Sequence, residues 1–550
     1  MRDNYWLRKS NDWRMGRRRL LQAGGAGAIG AAGFAIVGCG NDDDSGDAST
    51  NGNGNGNGGD TTNGGRPEPE GEARVAIAAD FQAVEPPGRL GGQDLQAIQQ
   101  MFESLVTRDA AGNLVGGLAE DWEALEEGSV YQFTIRDGVQ FHNGETMTAE
   151  DVKFSFDLID EVEYMRATLP TFESCEVIDD STVQVNLSQR DGGFPFLLDG
   201  FHFIVPQAYI DEVGLDGFGR DPVGTGPFQY ANWDPGSRFE AEVFHDYWGE
   251  KAMVERLRLD IVGDDSTRLN MLQTGEAHII AAVPPNQLEA IEGDLQVVQV
   301  PSGSNTFIHF QLITPERDGP IEDSPLSDQR VRLAINHAID RDAIVDRILY
   351  GTATPMADAL GEGMLGHDPG VEPYAYDPDR AEELLAEAGY GDGLELNFIY
   401  DSSPASQAQG QAITDFLEAV GITVTQEAID GQTLTQRRRE QNLHDMYISG
   451  YPDYSPDPVS RWQGGLVPTG TYVPFYDEQM VEYLDQVVPL SDPDERAEVI
   501  REAFDHLYEE AWIGFLWHPD AVWGLGNNVE WSPMPNWLYF RNSNTIRLNG

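Results

Sequence analysis

Cysteine and lysine are nearly absent from this chain. Only two of its 550 residues are cysteine, Cys39 and Cys175, so a disulfide framework is excluded. Cys175, in TFESCEVID, reads either as a catalytic thiol or as a small buried residue in a strand, the commoner fate of a free cysteine. Histidine is sparse and scattered: ten residues, never closer than the twelve positions between His506 and His518. No HExxH or similar paired spacing exists, so a zinc site would need ligands dispersed through the chain. A GxSxG elbow, a GxxxxGK[ST] loop and a GxGxxG following a strand are all missing. The glycine-rich VGTGPF at 223–228 lacks the lysine of a phosphate loop and reads as a turn. No catalytic residue, metal ligand or cofactor is assigned from the sequence.

Acid fills the space that lysine vacates. The chain carries 35 basic and 93 acidic residues, and only Lys153 and Lys251 follow the first 39 positions. Beyond those 39 positions stand 28 basic and 91 acidic residues, a net charge of −63. Such a charge repels itself strongly unless salt screens it. The acids are spread along the whole chain rather than clustered. This spread favours a solvated surface adapted to very high salt, haloarchaeal-like in character, over a sink for cations or basic partners. Nucleic acid is excluded as a partner for such a surface. So many carboxylates also make any single pair uninformative as an acid–base site.

The first 39 residues have the layout of an export signal: basic residues, an apolar run and then small residues. GRRRLLQ supplies Arg17 and Arg18, an adjacent pair resembling a twin-arginine signal, whose apolar region is typically mild. The 19-residue run Leu20 to Gly38 contains six glycines, a poor composition for a permanent span. Ile36-Val37-Gly38-Cys39 resembles a bacterial-type lipobox, in which cleavage leaves Cys39 as the lipidated first residue. An uncleaved anchor is the alternative, since the run is just long enough to span a bilayer. Either way the bulk of the chain lies outside the membrane. Residues 40–71, with the repeat NGNGNGNGG, form a flexible acidic linker by composition.

A folded region begins near Ala73 with the alternating strand ARVAIAAD. A helix is expected over 95–105, then strands in NLVGGLAEDWEAL and in SVYQFTIRDGVQF, where Tyr131, Phe133 and Ile135 alternate with polar residues. Thr148 and Asp151 open TAEDVKFSFDLI as a capping-box helix. From Phe307 helices and strands alternate. SDQRVRLAINHAI begins at Ser327 as expected cap and places Val331, Ile335 and Ala338 on one face. DRDAIVDRILYG follows, closed by Gly351. DPDRAEELLAEAGY has Asp377 as cap, Pro378 at the first helical position and Gly389 at the stop. The strand ELNFIY, a helix over 404–420 and the strand ITVTQEAI then make a βαβ unit and hence a parallel sheet. The aromatic AWIGFLWHPDAVWGLG reads as strands returning to an earlier core.

Seven segments occur in an order that resembles a known family. They are YQFTIRDGVQFHNGETMTAEDVKFSF, DPVGTGPFQY, HDYWGEKAMVERLRLDIV, TRLNMLQTGEAHI, SDQRVRLAINHAIDRDAIV, YDPDRAEELLAEAGY and YPDYSPDP. Together they resemble the extracytoplasmic solute-binding proteins of the dipeptide/oligopeptide class, family 5, that feed ABC transporters. The resemblance spans nearly all of 73–540. It implies an α/β, two-lobed periplasmic-binding-protein-like fold with a hinge and an extra domain inserted in the first lobe. Mapped here, lobe I comprises 72–105, 222–305 and 512–550, the insertion 106–221 and lobe II 306–511. Together with the lipobox at Cys39, it further implies a lipid-anchored monomer on the extracellular face of the membrane that captures peptides, closes about its hinge and delivers them to a permease.

In peptide-binding members an aspartate in an aromatic-rich loop of lobe II pairs with the ligand α-ammonium. By resemblance Asp453 in GYPDYSPDP takes that position, aligned on Tyr454 and Asp457-Pro458. A carboxylate in a closed, dry cleft attracts an ammonium far more strongly than one in water. Asp453 and Asp457 also read as turn-formers. Tyr451, Tyr454 and Trp462 are candidates to line the pocket, though such aromatics are more often core. For a peptide carboxylate the nearest basic residues are Arg437 to Arg439 and Arg461. The alternatives keep the fold and change the ligand to an oligosaccharide, a metal chelate or another small solute, or change the class to a secreted hydrolase or a surface structural protein.

Overall fold

The computed structural model describes residues 68–549, apart from 87–91, 110–111, 201, 314–320, 322, 452–454, 468–469, 471, 536 and 538–539. The expected export signal with Arg17, Arg18 and Cys39 lies outside the described residues, as does most of the expected linker.

The chain folds into two α/β lobes strung on one twelve-stranded sheet. Ile422–Ile429, Leu394–Asp401, Met446–Tyr451 and Asn305–Phe310 lead to the long strand Ile513–Leu525. Beyond it lie Ile279–Ala281, Glu72–Ile77, Arg256–Ile261, Arg238–Val243 and Phe228–Asp234. The apolar residues divide accordingly. One large core gathers Val75, Ile98, Phe133, Leu259 and Trp537, and a separate one gathers Ile308, Ile335, Phe398, Trp462 and Phe504. Phe133 comes from a second, four-stranded antiparallel sheet built by 119–187, so that sheet packs into the first core and has no separate one.

Ile513–Leu525 is the member that serves both lobes. Its first half pairs with Asn305–Phe310 and its second half with Gln296–Pro301 and Ile279–Ala281. The chain passes between the cores at 301–305 and again at 517–520, where Ser302 Oγ donates to the Pro519 carbonyl at 2.5 Å. What reads in the sequence as strands returning to an earlier core is thus a single 13-residue strand.

Local chemistry accounts for most element ends. Thr148 Oγ1 accepts from Asp151 N while Asp151 accepts from Thr148 N, the expected capping box. Leu394–Asp401 and Ile422–Ile429 pair in parallel, register Leu394 with Ile422, around the helix Pro404–Ala419. Gly389 and Gly421 take φ of +94° and +89° at the two helix stops, where a Cβ would be strained. Two expectations shift. The cap of Gln329–Ala338 is Asp328, whose carboxylate accepts from Arg330 N, while Ser327 belongs to the preceding 3₁₀ turn. The helix from Leu95 ends at Met101 because the chain 223–228 closes on its carboxyl end. Gly226 N donates to Met101 O at 2.8 Å, and a Cβ on Gly224 would lie 2.1 Å from that oxygen. The glycines of VGTGPF therefore serve close packing.

Cys175 is a buried strand residue whose thiol burial pushes up to about 12, which is chemically quiet. Glu103, just after the helix Leu95–Met101, accepts from Tyr247 OH at 2.7 Å and Trp248 Nε1 at 2.9 Å. Burial raises its pKa from 4.5 to about 7 against those hydrogen bonds. The folded state therefore holds this proton more tightly than the unfolded chain. Its contribution to stability is complete below pH 4.5 and is lost as pH rises through about 7. Glu103→Gln, a mimic of the protonated group, should gain up to roughly 3 kcal/mol on wild type between pH 5 and 8.5. Denaturant titrations at both pH values would read this, and a pH-independent offset would contradict it.

Candidate functional site

The expected ligand loop leaves the sheet where the two lobes meet. Met446–Tyr451 pairs with Asn305–Phe310, and the register sets Tyr451 beside Asn305. Thr306 in turn pairs with Trp517 of the crossing strand. The backbone of Tyr451 thus adjoins the first passage between the cores, with the second one strand beyond it. Asp453 and Tyr454 follow directly and lie outside the described residues.

The loop re-enters the described structure as a tightly held turn. Asp457 N donates to Ser455 Oγ at 3.1 Å, and Asp457 Oδ1 accepts from Val459 N at 2.8 Å. Asp457 Oδ2 accepts from Arg496 Nε at 2.5 Å, with both side chains almost wholly buried. Arg496 also donates through Nη1 to the carbonyls of Val487 at 2.7 Å and Leu490 at 3.2 Å. Burial weakens its hold on the proton, but the Asp457 charge and hydrogen bond together with the charges of Asp191 and Tyr131 outweigh that and raise its pKa. A guanidinium gives five donors in a fixed fork, which suits it to hold a carboxylate and two carbonyls at once. Asp457 is therefore committed to Arg496 and behaves as the turn-former of the two readings. Trp462 is fully buried in the second core, edge-to-face on Phe504 with ring centroids 5.9 Å apart.

The basic candidates separate. Arg437 is paired twice to Glu427, at 2.8 and 3.0 Å. Arg438 lies over the Tyr472 ring at 4.9 Å and Arg439 Nε donates to Tyr472 OH at 3.0 Å. Arg438 also lies 5.9 Å from the Tyr447 ring, and Tyr447 is four residues, about 13 Å of strand, from Tyr451. That cluster belongs to the far end of the strand. Arg461 is placed differently: its Nη2 donates to Ala359 O at 3.2 Å, and its charge reaches His518 on the crossing strand. Burial first, then Arg461 and His367, lower the His518 pKa to about 4, against hydrogen bonds to Ser304 O and Asp358 O. With that ring neutral, Arg461 brings its positive charge to the passage.

Two residues that the sequence reading passed over complete the arrangement. Arg496 interrupts the apolar stripe Ile500, Ala503, Phe504 and Leu507 of its helix, a legible sign that it has a buried partner. Asp191, from the four-stranded-sheet region, faces Arg496 across a small cavity of about 20 Å³ that Ser460 and Gln463 also line. Its carboxyl is raised by burial and lowered by the Arg496 charge, ending above the ordinary range. No group of three or more His, Cys, Asp or Glu side chains suited to a metal occurs among the described residues.

Comparison with known proteins places this arrangement. Residues 113–472 match the model of the bacterial extracellular solute-binding proteins, family 5 Middle. The glutathione-binding protein GsiB of Salmonella typhi is 28% identical over 461 residues, covering 80% of this chain and 87% of that protein. Heme-binding protein A of Haemophilus influenzae is 26% identical over 453 residues, covering 76% and 81%. Among solved structures, the periplasmic binding protein DppA of Helicobacter pylori in complex with the peptide STSA superposes with a TM-score of 0.73. It is 23% identical and covers 88% of this chain and 99% of that one. With its model matched over well over half the chain, and with both lobes reproduced in the solved relatives, this protein belongs to the family 5 extracellular solute-binding proteins of ABC transporters.

Proposed function

We propose that this protein captures peptides outside the cell and delivers them to an ABC permease by closing its two lobes, while a lipid on Cys39 keeps it at the membrane. The observation that carries the peptide reading is the loop GYPDYSPDP, which leaves the sheet at the meeting of the lobes. There the Asp453 carboxylate would pair with a ligand α-ammonium, and Tyr451 and Tyr454 would flank the chain. Trp462, being core, and Asp457, being paired, support the loop from behind. Arg461 is the basic side chain best placed to receive a peptide carboxylate, since it adjoins the interlobe passage. The relatives are named for glutathione, heme and dipeptides, so a peptide fits the family without being its only ligand type. These relatives are binding proteins, and no catalytic role is assigned here. A lipid tether raises the effective concentration of the captured solute beside the permease. Among the described residues no helix is long and apolar enough to cross a membrane, so the tether would rest on the first 39 residues.

Calorimetric titration in molar salt with glutathione and a di- and tripeptide panel tests the ligand. Asp453→Ala should weaken a peptide that binds by at least tenfold, about the worth of one charge-assisted hydrogen bond, without lowering the unfolding midpoint. Trp462→Ala should do the reverse, destabilising the second lobe by about 3–5 kcal/mol. Unchanged affinity in Asp453→Ala would transfer the reading to a solute without an ammonium group. Cys39→Ser should release the protein into the medium, and retention on the membrane would refute the lipid anchor.

A further inference from the structure

Asp191 and Arg496 line one small cavity away from the strand passages, at a place where the two lobes meet. Asp191 belongs to the body whose core includes Tyr131 and Phe194, and Arg496 to the body whose core includes Trp462 and Phe504. The backbones meet at the same place. Gly192 N donates to Val488 O at 2.8 Å. A Cβ on Gly192 would lie 1.6 Å from Leu490 O, and one on Gly193 would lie 2.5 Å from Arg496 Nη2 and 3.4 Å from Asp191 Oδ1. Two successive glycines thus let one body press its backbone onto the other and set the Asp191 carboxylate facing the Arg496 guanidinium across the cavity.

The Asp191 side chain is fixed in advance. Thr171 Oγ1 donates to its Oδ2 at 2.9 Å and Gly193 N to its Oδ1 at 3.0 Å, while Tyr131 OH donates to its carbonyl at 2.8 Å. On the other body, Arg496 already holds Asp457, and Asp457 holds the turn that follows the ligand loop. One guanidinium therefore stands between two buried carboxylates, one on each body.

Resting on the assignment of 451–458 as the ligand loop, we infer that Asp191, Arg496 and Asp457 form an interlobe latch through which the inserted region senses and steadies that loop. Arg496 is the positioning residue: it touches no ligand and acts through Asp457. When the lobes part, Asp191 leaves, Arg496 keeps one carboxylate, and the turn at 455–459 loses its outer support. When the lobes dock, the loop is held for the ligand. The small cavity beside Arg496 is the seam of this contact, below the usual range for a solute pocket.

Two readouts on the full chain without ligand test the latch, so failure of the peptide reading does not affect them. Nitroxide labels at the exposed Asp137 and Glu418, one on each body, report the interlobe distance by electron–electron double resonance. Asp191→Asn and Gly192→Ala should each shift the distribution to longer distances, lowering the docked-to-open ratio by about tenfold. Arg496→Lys should retain more docked protein than Arg496→Ala. Amide hydrogen exchange supplies the coupling: Asp191→Asn, a change on the other body, should speed exchange at Asp457 and Val459. Wild-type distances in both Asp191→Asn and Gly192→Ala would overturn the latch. Opening in Gly192→Ala alone would reduce it to a steric contact and overturn the ionic link. Unchanged exchange at 455–459 in an opened Asp191→Asn would overturn the coupling to the loop.

Discussion

Everything in this structure that resembles a moving part depends on one strand belonging to two bodies. Ile513–Leu525 hydrogen-bonds in the second lobe through its first residues and in the first lobe through its last, while the apolar cores on either side stay separate. A strand cannot slide past its partners without flipping its side chains between faces. Register is therefore fixed within each lobe, and bending is confined to the few residues between. Ser302, Ser304, His518 and Pro519 occupy that stretch. They meet through carbonyls, a serine hydroxyl and an imidazole, which tolerate small rotations better than interlocked apolar side chains do.

Electrostatics sets the second constraint. A surface with this excess of acid gains from every buried or paired arginine, and the structure places its arginines with care. Arg108 and Arg541 share Asp199, Arg496 holds Asp457, and Arg332 and Arg341 are buried among main-chain carbonyls. Breaking such a buried pair leaves an uncompensated charge, which is costly even where the intact pair contributes little net stability. With lysine nearly gone, guanidinium forks perform most of the cationic structural work. A ligand ammonium entering the interlobe region would meet a protein already rich in carboxylate, a favourable setting for a cationic solute terminus.

Much of the fold was legible from local chemistry. The capping box at Thr148, the stops at Gly389 and Gly421 and the parallel pairing around 404–419 all follow from caps, glycines and alternation. What was not legible depends on long-range contact. Nothing near Met101 shows that Gly224 and Gly226 will press against it and end its helix, and nothing near Trp523 shows that one strand serves two lobes. At the site, the strand Met446–Tyr451 that leads into the motif ends beside Asn305, next to the crossing strand's partner. The neighbouring candidates Asp457 and Trp462 proved to be occupied with its support, since sequence proximity does not distinguish the side of a loop that faces a ligand from the side that faces the core. Arg496 could have been found as a charge on an apolar stripe. Asp191 could not, because its partner lies 305 positions away in the other lobe.

The central claim is that a peptide terminus is read by the loop at the junction of the lobes. It is tested most directly by purifying the protein in high salt, denaturing it and identifying the released small molecules by mass spectrometry. The account predicts peptides with a free α-amino group, and their loss from protein carrying Asp453→Ala. A sugar, a heme or a metal chelate released in stoichiometric amount, and retained by Asp453→Ala, would contradict it.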